Sequence, residues 1–333
     1  MPAEIRKLLI IRLSSIGDIV LTTPVIRSLR NCLPDTEIHF ITKAAFVPLL
    51  AHHPALAKVH AFEGDMNATV AELRAENFDF VMDLHRNIRS RIIRTRLGKP
   101  SAVYSKDRWA VWKYTKFRWG KLPDVHTVER YARTLPALNC ALDEGGLEMF
   151  VREEIMEAGK KEIEAHFEQE PVTVVLGGKW QTKKWPTEYF RDLLNALGLP
   201  VLLLGGKAEM EEGKWLENAL EVRVLNRIGE VGLLESAALM AASGLVLTHD
   251  TGLMHIGVAL GKQIVSLWGN TVPELGFSPY KAPNALILQN TELSCRPCHK
   301  IGYDTCPKKH FRCMRDLTPE IVLPQIRAVL NPE

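Results

Sequence analysis

The first half of the chain alternates short apolar runs with amphipathic stretches. The run at residues 7–13 is almost wholly apolar, which is typical of a strand buried on both faces of a parallel sheet. Residues 37–42 and 78–84 also predict strands. Helices are predicted at residues 25–32, opened by the pair Thr23 and Pro24, and at residues 68–76. This order predicts a doubly wound parallel sheet.

The second half repeats the alternation after a charged helical stretch at residues 153–168 and a proline at 171. Its predicted strands are residues 172–176, 201–204, 245–248 and 263–267. Its predicted helices are residues 187–197, 208–220, 233–242 and 253–260. We therefore expect two tandem Rossmann-like domains, residues 1–167 and 168–333. A last predicted helix, residues 319–330, is long enough to reach back to the first domain.

Composition adds an uneven distribution of charge to this picture. The 333 residues are 46% hydrophobic and 24% charged, as in ordinary globular proteins. The net charge is only +3, but residues 86–121 alone carry +11, so the rest of the chain carries −8. The apolar run at residues 8–11 is too short for a signal peptide or a membrane span, which favours a cytoplasmic protein.

Ligands of open α/β sheets bind beyond the carboxyl ends of the strands, so the residues after each predicted strand are the candidates for function. Asp18 follows the first strand and stands beside Gly17, a residue that allows another molecule to approach closely. A carboxylate there is suited to act as a general base toward a hydroxyl group. The alternative interpretation is a helix-capping aspartate.

Two segments of the second half have the residue types of a phosphate site. Asp250, Thr251, Gly252 and His255 lie where a strand leads into a helix, whose unpaired N–H groups attract a pyrophosphate. Residues 177–186 place two glycines before Thr182, Lys183 and Lys184, also after a strand. Alternatively, Asp250 is a simple N-cap with His255 as its partner. The Walker spacing and the GxGxxG fingerprint are both absent from the sequence.

A base in one domain and phosphate-binding groups in the other suit group transfer in a cleft between them. The motifs also resemble those of the ADP-heptose:lipopolysaccharide heptosyltransferases, glycosyltransferase family 9. The matching residues are 14–18 (SSIGD), 183–186 (KKWP), 205–206 (GG), 250–255 (DTGLMH) and 259–261 (ALG). They occur in order over nearly the whole chain.

This resemblance implies a GT-B type fold with two Rossmann-like domains facing a cleft, and an inverting, metal-independent transfer of heptose from ADP-heptose to a lipopolysaccharide inner-core acceptor. It implies that Asp18 is the general base and that Lys183 holds the donor diphosphate. It also implies that Asp250, Thr251, Gly252 and His255 line the donor site, with Glu209 near the nucleotide ribose. No cofactor is then required, and the sequence agrees in lacking an Asp-x-Asp metal motif.

The basic segment at residues 86–121 is the predicted acceptor side. Arg86 and Arg89 follow a strand, and residues 106–121 interleave aromatic side chains with Lys and Arg. Cations among aromatics suit sugars or a membrane interface. With the family's anionic, lipid-linked oligosaccharide acceptor, this predicts peripheral contact with the inner face of the inner membrane. A solvated charged helix is the alternative interpretation.

Six cysteines in a cytoplasmic chain favour free thiols or metal ligands over disulfides. Cys32 and Cys140 are predicted to be isolated buried thiols. The other four, with His299 and His310 nearby, are numerous enough for a structural zinc site, although only the first pair has CxxC spacing; packed free thiols are the alternative. These four are Cys295, Cys298, Cys306 and Cys313.

Two other functions fit parts of this pattern. A glycosyltransferase of the same fold with a UDP-sugar or another nucleotide-sugar donor would use the same loops, because the motifs do not specify the base pocket. A nucleic-acid-binding protein would use the basic segment and the cysteines. We expect no nucleic-acid partner, because that function leaves the loops at residues 14–18, 177–185 and 250–255 without a purpose.

Overall fold

The computed structural model describes residues 5–330, which divide into two compact units. Unit 1 contains the described residues up to Asp107 together with Val125–Phe150. Unit 2 contains Arg108–Asp124 and the described residues from Val151 onward. The chain thus changes unit at Phe150, earlier than the predicted boundary at residue 167, and residues 108–124 join the second unit instead of the first.

Unit 1 is built on a five-stranded, fully parallel sheet in the order β3-β2-β1-β4-β5. Its first elements, in chain order, are β1 Lys7–Ile11, α1 Ile16–Val20, α2 Thr23–Cys32, β2 Glu37–Lys43, β3 Lys58–Phe62 and α3 Met66–Ala75. They are followed by β4 Phe80–Asp83, α4 Ile88–Leu97, β5 Ser101–Val103, α5 Arg108–Phe117, which belongs to unit 2, and α6 Thr127–Ala132.

The central strand β1 explains where a ligand of unit 1 would bind. Its residue Ile10 pairs with Phe40 of β2 on one side and with Met82 of β4 on the other. Successive connections therefore leave β1 in opposite directions, and the loops that follow β1 and β4 meet at the topological switch point. Residues 12–18 and 84–89 occupy these loops and the helix starts beyond them.

Unit 2 is built on a six-stranded, fully parallel sheet in the order β11-β10-β9-β6-β7-β8. Its elements after α5 begin with α7 Glu153–His166, β6 Val172–Val175, α8 Thr187–Leu197, β7 Val201–Leu204, α9 Met210–Ala219, β8 Val224–Asn226 and α10 Leu233–Ala241. They end with β9 Leu245–His249, α11 Gly252–Ala259, β10 Gln263–Trp268, β11 Leu286–Gln289, α12 Arg312–Arg315 and α13 Pro319–Leu330. Both halves therefore have the predicted α/β architecture, and β6 and β9 flank the switch point of this sheet.

Both ends of unit 2 pack on its own core. Helix α13 lies on α8, with Val322 and Ile326 fully buried in the same hydrophobic cluster as Phe190. The last predicted helix therefore packs within the second unit. Helix α7 lies against α10 so closely that a Cβ on Gly159 would come within 2.8 Å of the Ala238 carbonyl carbon.

Segment 108–124 is fixed to unit 2 by apolar and polar contacts. Val111 of α5 is buried with Val272 and Leu275. Arg118, seven positions further on, donates hydrogen bonds to the carbonyl oxygens of Cys295 and Pro297. The helix therefore presents one face to unit 2.

Cys32 and Cys140 form a disulfide, with 5.8 Å between their Cα atoms, so the prediction of two isolated buried thiols was wrong. Cys32 is moreover exposed. The pairing was hidden by a sequence separation of 108 residues, which the fold of unit 1 closes by bringing the end of α2 beside the turn at Asn139.

Within residues 5–330, no helix combines the length and the apolar character needed to cross a bilayer.

Candidate active site

The Lys183–Asp250 region of unit 2 joins the two loops at its switch point. The loop after β6 carries Lys183, whose Nζ lies 2.5 Å from Asp250 Oδ2 and 3.2 Å from the Asp250 carbonyl oxygen. Asp250 follows β9 and precedes α11. Its Oδ2 also accepts a hydrogen bond of 2.8 Å from Thr271 Oγ1. The parallel order of β6 and β9 brings together two residues that are 67 positions apart.

The start of α11 lies beside this pair. Thr251 is the N-cap residue, Gly252 is the first helical residue, and His255 follows one turn later with 2% of its surface exposed. A Cβ on Gly178 would lie 3.5 Å from Lys184 Cγ and 4.0 Å from Thr251 Cγ2, so the two loops meet here. Unpaired N–H groups and an ammonium group in one place are suited to an anionic ligand.

A buried histidine holds the loop that carries Lys183. His249, at the end of β9, is fully buried, and its Nε2 accepts a hydrogen bond of 2.9 Å from the Trp185 backbone N–H. Burial, and then the Lys184 charge, lower the pKa of His249 to about 3, so its ring is neutral near pH 7. The Trp185 indole in turn donates to the Leu317 carbonyl oxygen. These contacts fix the position of the loop relative to β9.

Glu209 is part of a buried ion cluster. Its Oε1 lies 3.0 Å from Lys184 Nζ, and its Oε2 accepts a hydrogen bond from the Gly206 N–H. Glu212 also pairs with Lys184, at 3.2 Å. Both oxygens of Glu209 therefore have partners within unit 2, and the contact of this residue with a nucleotide ribose stays a prediction.

Arg296 supports the backbone behind Asp250 and was not predicted from the sequence. The guanidinium of Arg296 is buried and donates to the carbonyl oxygens of Trp268, Gly269, Thr271 and Asn290, as well as to the Gln289 side chain. Since Thr271 bonds Asp250, this arginine fixes the backbone next to the Lys183–Asp250 pair. An arginine beside two cysteines gives no sequence signal of such a role.

Asp18 lies at the switch point of unit 1, in the first turn of α1. Its Oδ1 lies 2.5 Å from an Arg12 guanidinium nitrogen and accepts a hydrogen bond of 3.3 Å from the Tyr131 hydroxyl. Its Oδ2 accepts hydrogen bonds from the backbone N–H and the hydroxyl of Ser15. The capping role of Asp18 is therefore present in the structure, and its role as a general base stays a prediction.

The neighbours of Asp18 keep it ionised. Burial by itself raises the pKa of Asp18, but the Arg12 charge and the Ser15 hydrogen bonds outweigh burial and hold that pKa below its usual value. Burial raises the pKa of Tyr131, so its hydroxyl remains a donor. Nearby, burial and the Arg12 charge lower the pKa of His85 to about 3. Arg12, Tyr131 and His85 were not predicted from the sequence.

The remaining predicted acceptor residues lie close to the same switch point. Gly17 is buried in α1. Arg86 and Arg89 are exposed, after β4 and in the first turn of α4. The Arg86 backbone N–H donates to buried Asp83, and its guanidinium donates to the Tyr104 carbonyl oxygen. The predicted residues thus fall into two groups, one in each unit.

The four cysteines of residues 295–313 carry free thiols. Cys295 Sγ lies 3.8 Å from His310 Nε2, and burial raises the pKa of Cys313 to about 12. Within residues 5–330, the one group of three metal-ligand side chains with ligand atoms all within 4.8 Å is His39, His60 and Glu76. The cysteines do not reach that spacing, and the structural zinc site stays a prediction.

The chain is similar to known proteins over nearly its whole length. Lipopolysaccharide heptosyltransferase 1 of Pseudomonas aeruginosa is 28% identical over 360 residues, covering 98% of this chain and 95% of that protein. The crystal structure of a family 9 glycosyl transferase from Veillonella parvula has a TM-score of 0.81 at 21% identity, covering 99% and 98% of the two chains. The structure of E. coli ADP-heptose lipopolysaccharide heptosyltransferase II has a TM-score of 0.75 at 24% identity, covering 97% and 98%.

These similar structures share the fold of this chain, with two Rossmann-like domains of the GT-B type. Residues 66–309 match the family described as glycosyltransferase family 9 (heptosyltransferase), which is well over half of the chain. This protein therefore belongs to glycosyltransferase family 9, the heptosyltransferases, and is a glycosyltransferase.

Proposed function

We propose that this enzyme transfers a heptose from ADP-heptose to an inner-core acceptor of lipopolysaccharide. The observation that carries the proposal is the Lys183–Asp250 pair at the start of α11, which offers a cation and helix N–H groups to a diphosphate. Similarity to heptosyltransferases over nearly the whole chain supports heptose as the sugar and ADP as the nucleotide.

The proposed reaction is a direct, inverting displacement. Asp18 takes the proton of the acceptor hydroxyl, and the oxygen attacks the anomeric carbon as the bond to the diphosphate breaks. Lys183 and the N–H groups at Thr251 and Gly252 stabilise the negative charge that develops on the departing ADP. A lysine in this role replaces a metal ion, so the proposed transfer requires no metal and no cofactor.

Other residues complete the donor site in this proposal. Asp250 positions Lys183 through the ion pair described above, and His255, one turn into α11, contacts a phosphate or a sugar hydroxyl. Glu209 lies at the loop after β7, near the proposed ribose position. The cysteines of residues 295–313 take no part in the reaction, and elemental analysis of the purified protein tests whether they hold zinc.

The proposed acceptor is an anionic, lipid-linked oligosaccharide that approaches Gly17, Arg86 and Arg89 of unit 1. The two arginines are exposed and follow β4, next to β1 in the sheet, and such guanidinium groups favour an acceptor with phosphate or carboxylate groups. Since such an acceptor is anchored in a bilayer, the enzyme works in peripheral contact with the cytoplasmic face of the inner membrane. Nucleic acid is not a partner in this proposal.

The experiment that tests the base is Asp18→Ala. We expect turnover to fall by about 10²–10⁴-fold, the contribution typical of a general base, while calorimetry finds ADP affinity nearly unchanged. The exposed Asp35, in the turn before β2, provides the control variant Asp35→Ala, which keeps turnover. Near wild-type turnover of Asp18→Ala would overturn the assignment of the base.

The nucleotide is tested by calorimetric titration of wild-type enzyme with ADP and with UDP. Preference for ADP supports the proposed donor. Preference for UDP would replace it by a UDP-sugar on the same fold.

A further inference from the structure

Segment 108–121 combines exposed aromatic side chains with cations. Four of the ten large hydrophobic side chains that are exposed in residues 5–330 fall between positions 109 and 119. They are Trp109 at 71%, Trp112 at 44%, Phe117 at 59% and Trp119 at 67% exposure. The segment also contains five Lys or Arg and no acidic residue. Exposed apolar groups at this density mark interaction surfaces rather than ordinary solvated helices.

Helix α5 has one face toward unit 2 and a different face that is exposed. Val111 and Arg118 face unit 2, as their contacts with Leu275 and Pro297 require. The residues at positions 109, 112, 113 and 116 follow the i, i+3, i+4, i+7 spacing of a different face. That face carries two tryptophans and two lysines, so the side turned away from the protein is the one rich in aromatic rings.

Trp109, Trp112 and Phe117 form one continuous patch of rings. Trp109 and Trp112 pack edge to face at 5.3 Å between centroids, and Trp112 and Phe117 do the same at 5.3 Å. Lys116 Nζ lies 5.7 Å from the Trp112 centroid, and Lys113 Nζ lies 4.5 Å from that of Trp119. Ammonium groups therefore lie beside the apolar rings, and the segment has no acidic residues among them.

We propose that Trp109, Trp112, Phe117 and Trp119, together with Lys113 and Lys116, form a docking surface for an anionic lipid bilayer. Tryptophan rings partition into the headgroup region, where an apolar ring and a polar N–H are both accommodated. Lysine stems extend along the rings while their ammonium groups reach the lipid phosphates. This inference deepens the proposed function, since it names the surface by which the enzyme meets the membrane of its acceptor.

A bilayer fits this surface better than the alternatives. A free sugar phosphate would occupy one or two cations, whereas here the cations border a broad apolar patch. RNA would be attracted by the same charges, but the aromatic rings pack on each other edge to face and do not form the open stacking platforms that bases use.

The test is co-sedimentation of the full-length protein with vesicles of phosphatidylcholine alone or with about 30% phosphatidylglycerol, without acceptor. We expect binding to the anionic vesicles, weak binding to the neutral ones, and loss of binding at high salt. Lys113→Ala/Lys116→Ala should bind about 25-fold more weakly, about five-fold for each cation, which corresponds to about 1 kcal/mol each. Trp109→Ala/Phe117→Ala should bind at least about ten-fold more weakly.

The matched control is Lys214→Ala/Trp215→Ala on α9, where an exposed lysine and tryptophan stand among acidic residues. It should bind vesicles like the wild type. Equal binding to both kinds of vesicle, wild-type binding by both segment variants, or stronger binding to a single-stranded RNA than to vesicles would each overturn the docking surface.

ADP titration of the same samples separates this inference from the proposed function. Variants that bind ADP normally are folded, so their loss of vesicle binding reports on the surface. If wild-type enzyme fails to bind vesicles but binds ADP, only the docking surface is wrong. If it binds vesicles but not ADP, the proposed donor is wrong and the docking surface stands.

Discussion

Lys183 and Asp250 form an ion pair across the switch point of unit 2, with 2.5 Å between Nζ and Oδ2. Both side chains are largely buried, and Thr271 donates a hydrogen bond to the same carboxylate oxygen. The ammonium group is therefore held in place before any ligand arrives. Such preorganisation is what makes a fixed charge effective toward a developing anion.

Replacing Lys183 should separate ligand binding from stability. Lys183→Gln keeps a hydrogen-bond donor for Asp250 but removes the positive charge, so we expect ADP affinity to fall by about ten-fold or more, with a smaller loss of stability than a replacement that leaves no donor. Lys184→Met is the comparison, because it leaves Glu209 and Glu212 without their cation and should destabilise the fold by about 3 kcal/mol. Calorimetry and thermal unfolding measure the two effects. Unchanged ADP affinity in Lys183→Gln would contradict the proposed role.

The ion pair between Arg12 and Asp18 should set the acidic limb of the pH–rate profile. The Arg12 charge counteracts the effect of burial and lowers the pKa of Asp18, so the carboxylate stays ionised to unusually low pH. Arg12→Gln removes that charge, and the pKa of Asp18 rises. We expect the acidic limb of kcat/KM to move to higher pH by about one unit or more. Tyr131→Phe, which removes a single hydrogen bond, should move it less, and a limb that does not move in Arg12→Gln would argue against Asp18 as the base.

Buried histidines should make stability depend on pH below neutrality. Burial lowers the pKa of His53 to about 4, and those of His85 and His249 to about 3, below the value of about 6.5 of the unfolded chain. Their stabilisation is therefore complete above about pH 6.5 and is lost progressively as the pH falls, by up to about 1.4 kcal/mol per pH unit for each histidine. Urea unfolding at a series of pH values measures this slope.

His53→Asn removes one titrating group, so it should reduce that slope by up to about 1.4 kcal/mol per pH unit. The side-chain oxygen of the asparagine still accepts a hydrogen bond from the Ala55 N–H, as His53 Nδ1 does. The exposed neighbour His52 offers His52→Gln as the matched histidine replacement for comparison. A slope unchanged by His53→Asn would contradict the lowered pKa of His53.

Gly159 should be required for the packing of α7 on α10. A Cβ there would lie 2.8 Å from the backbone of Ala238, which cannot turn away as a side chain does. Gly159→Ala should therefore destabilise unit 2 by about 1–3 kcal/mol, although alanine favours helix formation. Gly146→Ala meets no atom within 4 Å and should have almost no effect. Urea unfolding compares the two variants.

The fold could be predicted from sequence wherever a strand is fully buried. β7 was predicted at its exact bounds, because four consecutive apolar residues between glycine and proline leave little choice. The edge strands β3, β5, β8 and β11 were missed, since they have only three to five residues, are partly exposed and do not stand out from loops. The change of unit at Phe150 is not apparent from the sequence, because α7 is a charged helix and does not stand out as part of a core.

The candidate site could be predicted only in part. Lys183 and Asp250 were both singled out because each follows a strand, and the structure brings them into direct contact. The groups that hold them, Arg12, Tyr131 and Arg296, were not identified. Each is a buried polar residue whose partners lie far away in sequence, so only the folded chain reveals the contact.

The placement of segment 108–124 in unit 2 means that the chain changes unit three times, at residues 107, 124 and 150. No single cut can therefore release an intact half. Cleavage after Phe150 would leave the C-terminal fragment without Val111, and the apolar surface of Val272 and Leu275 would be left bare to water. An autonomous C-terminal fragment would need that helix grafted back, and a split version of the enzyme should be soluble only when both fragments are made together.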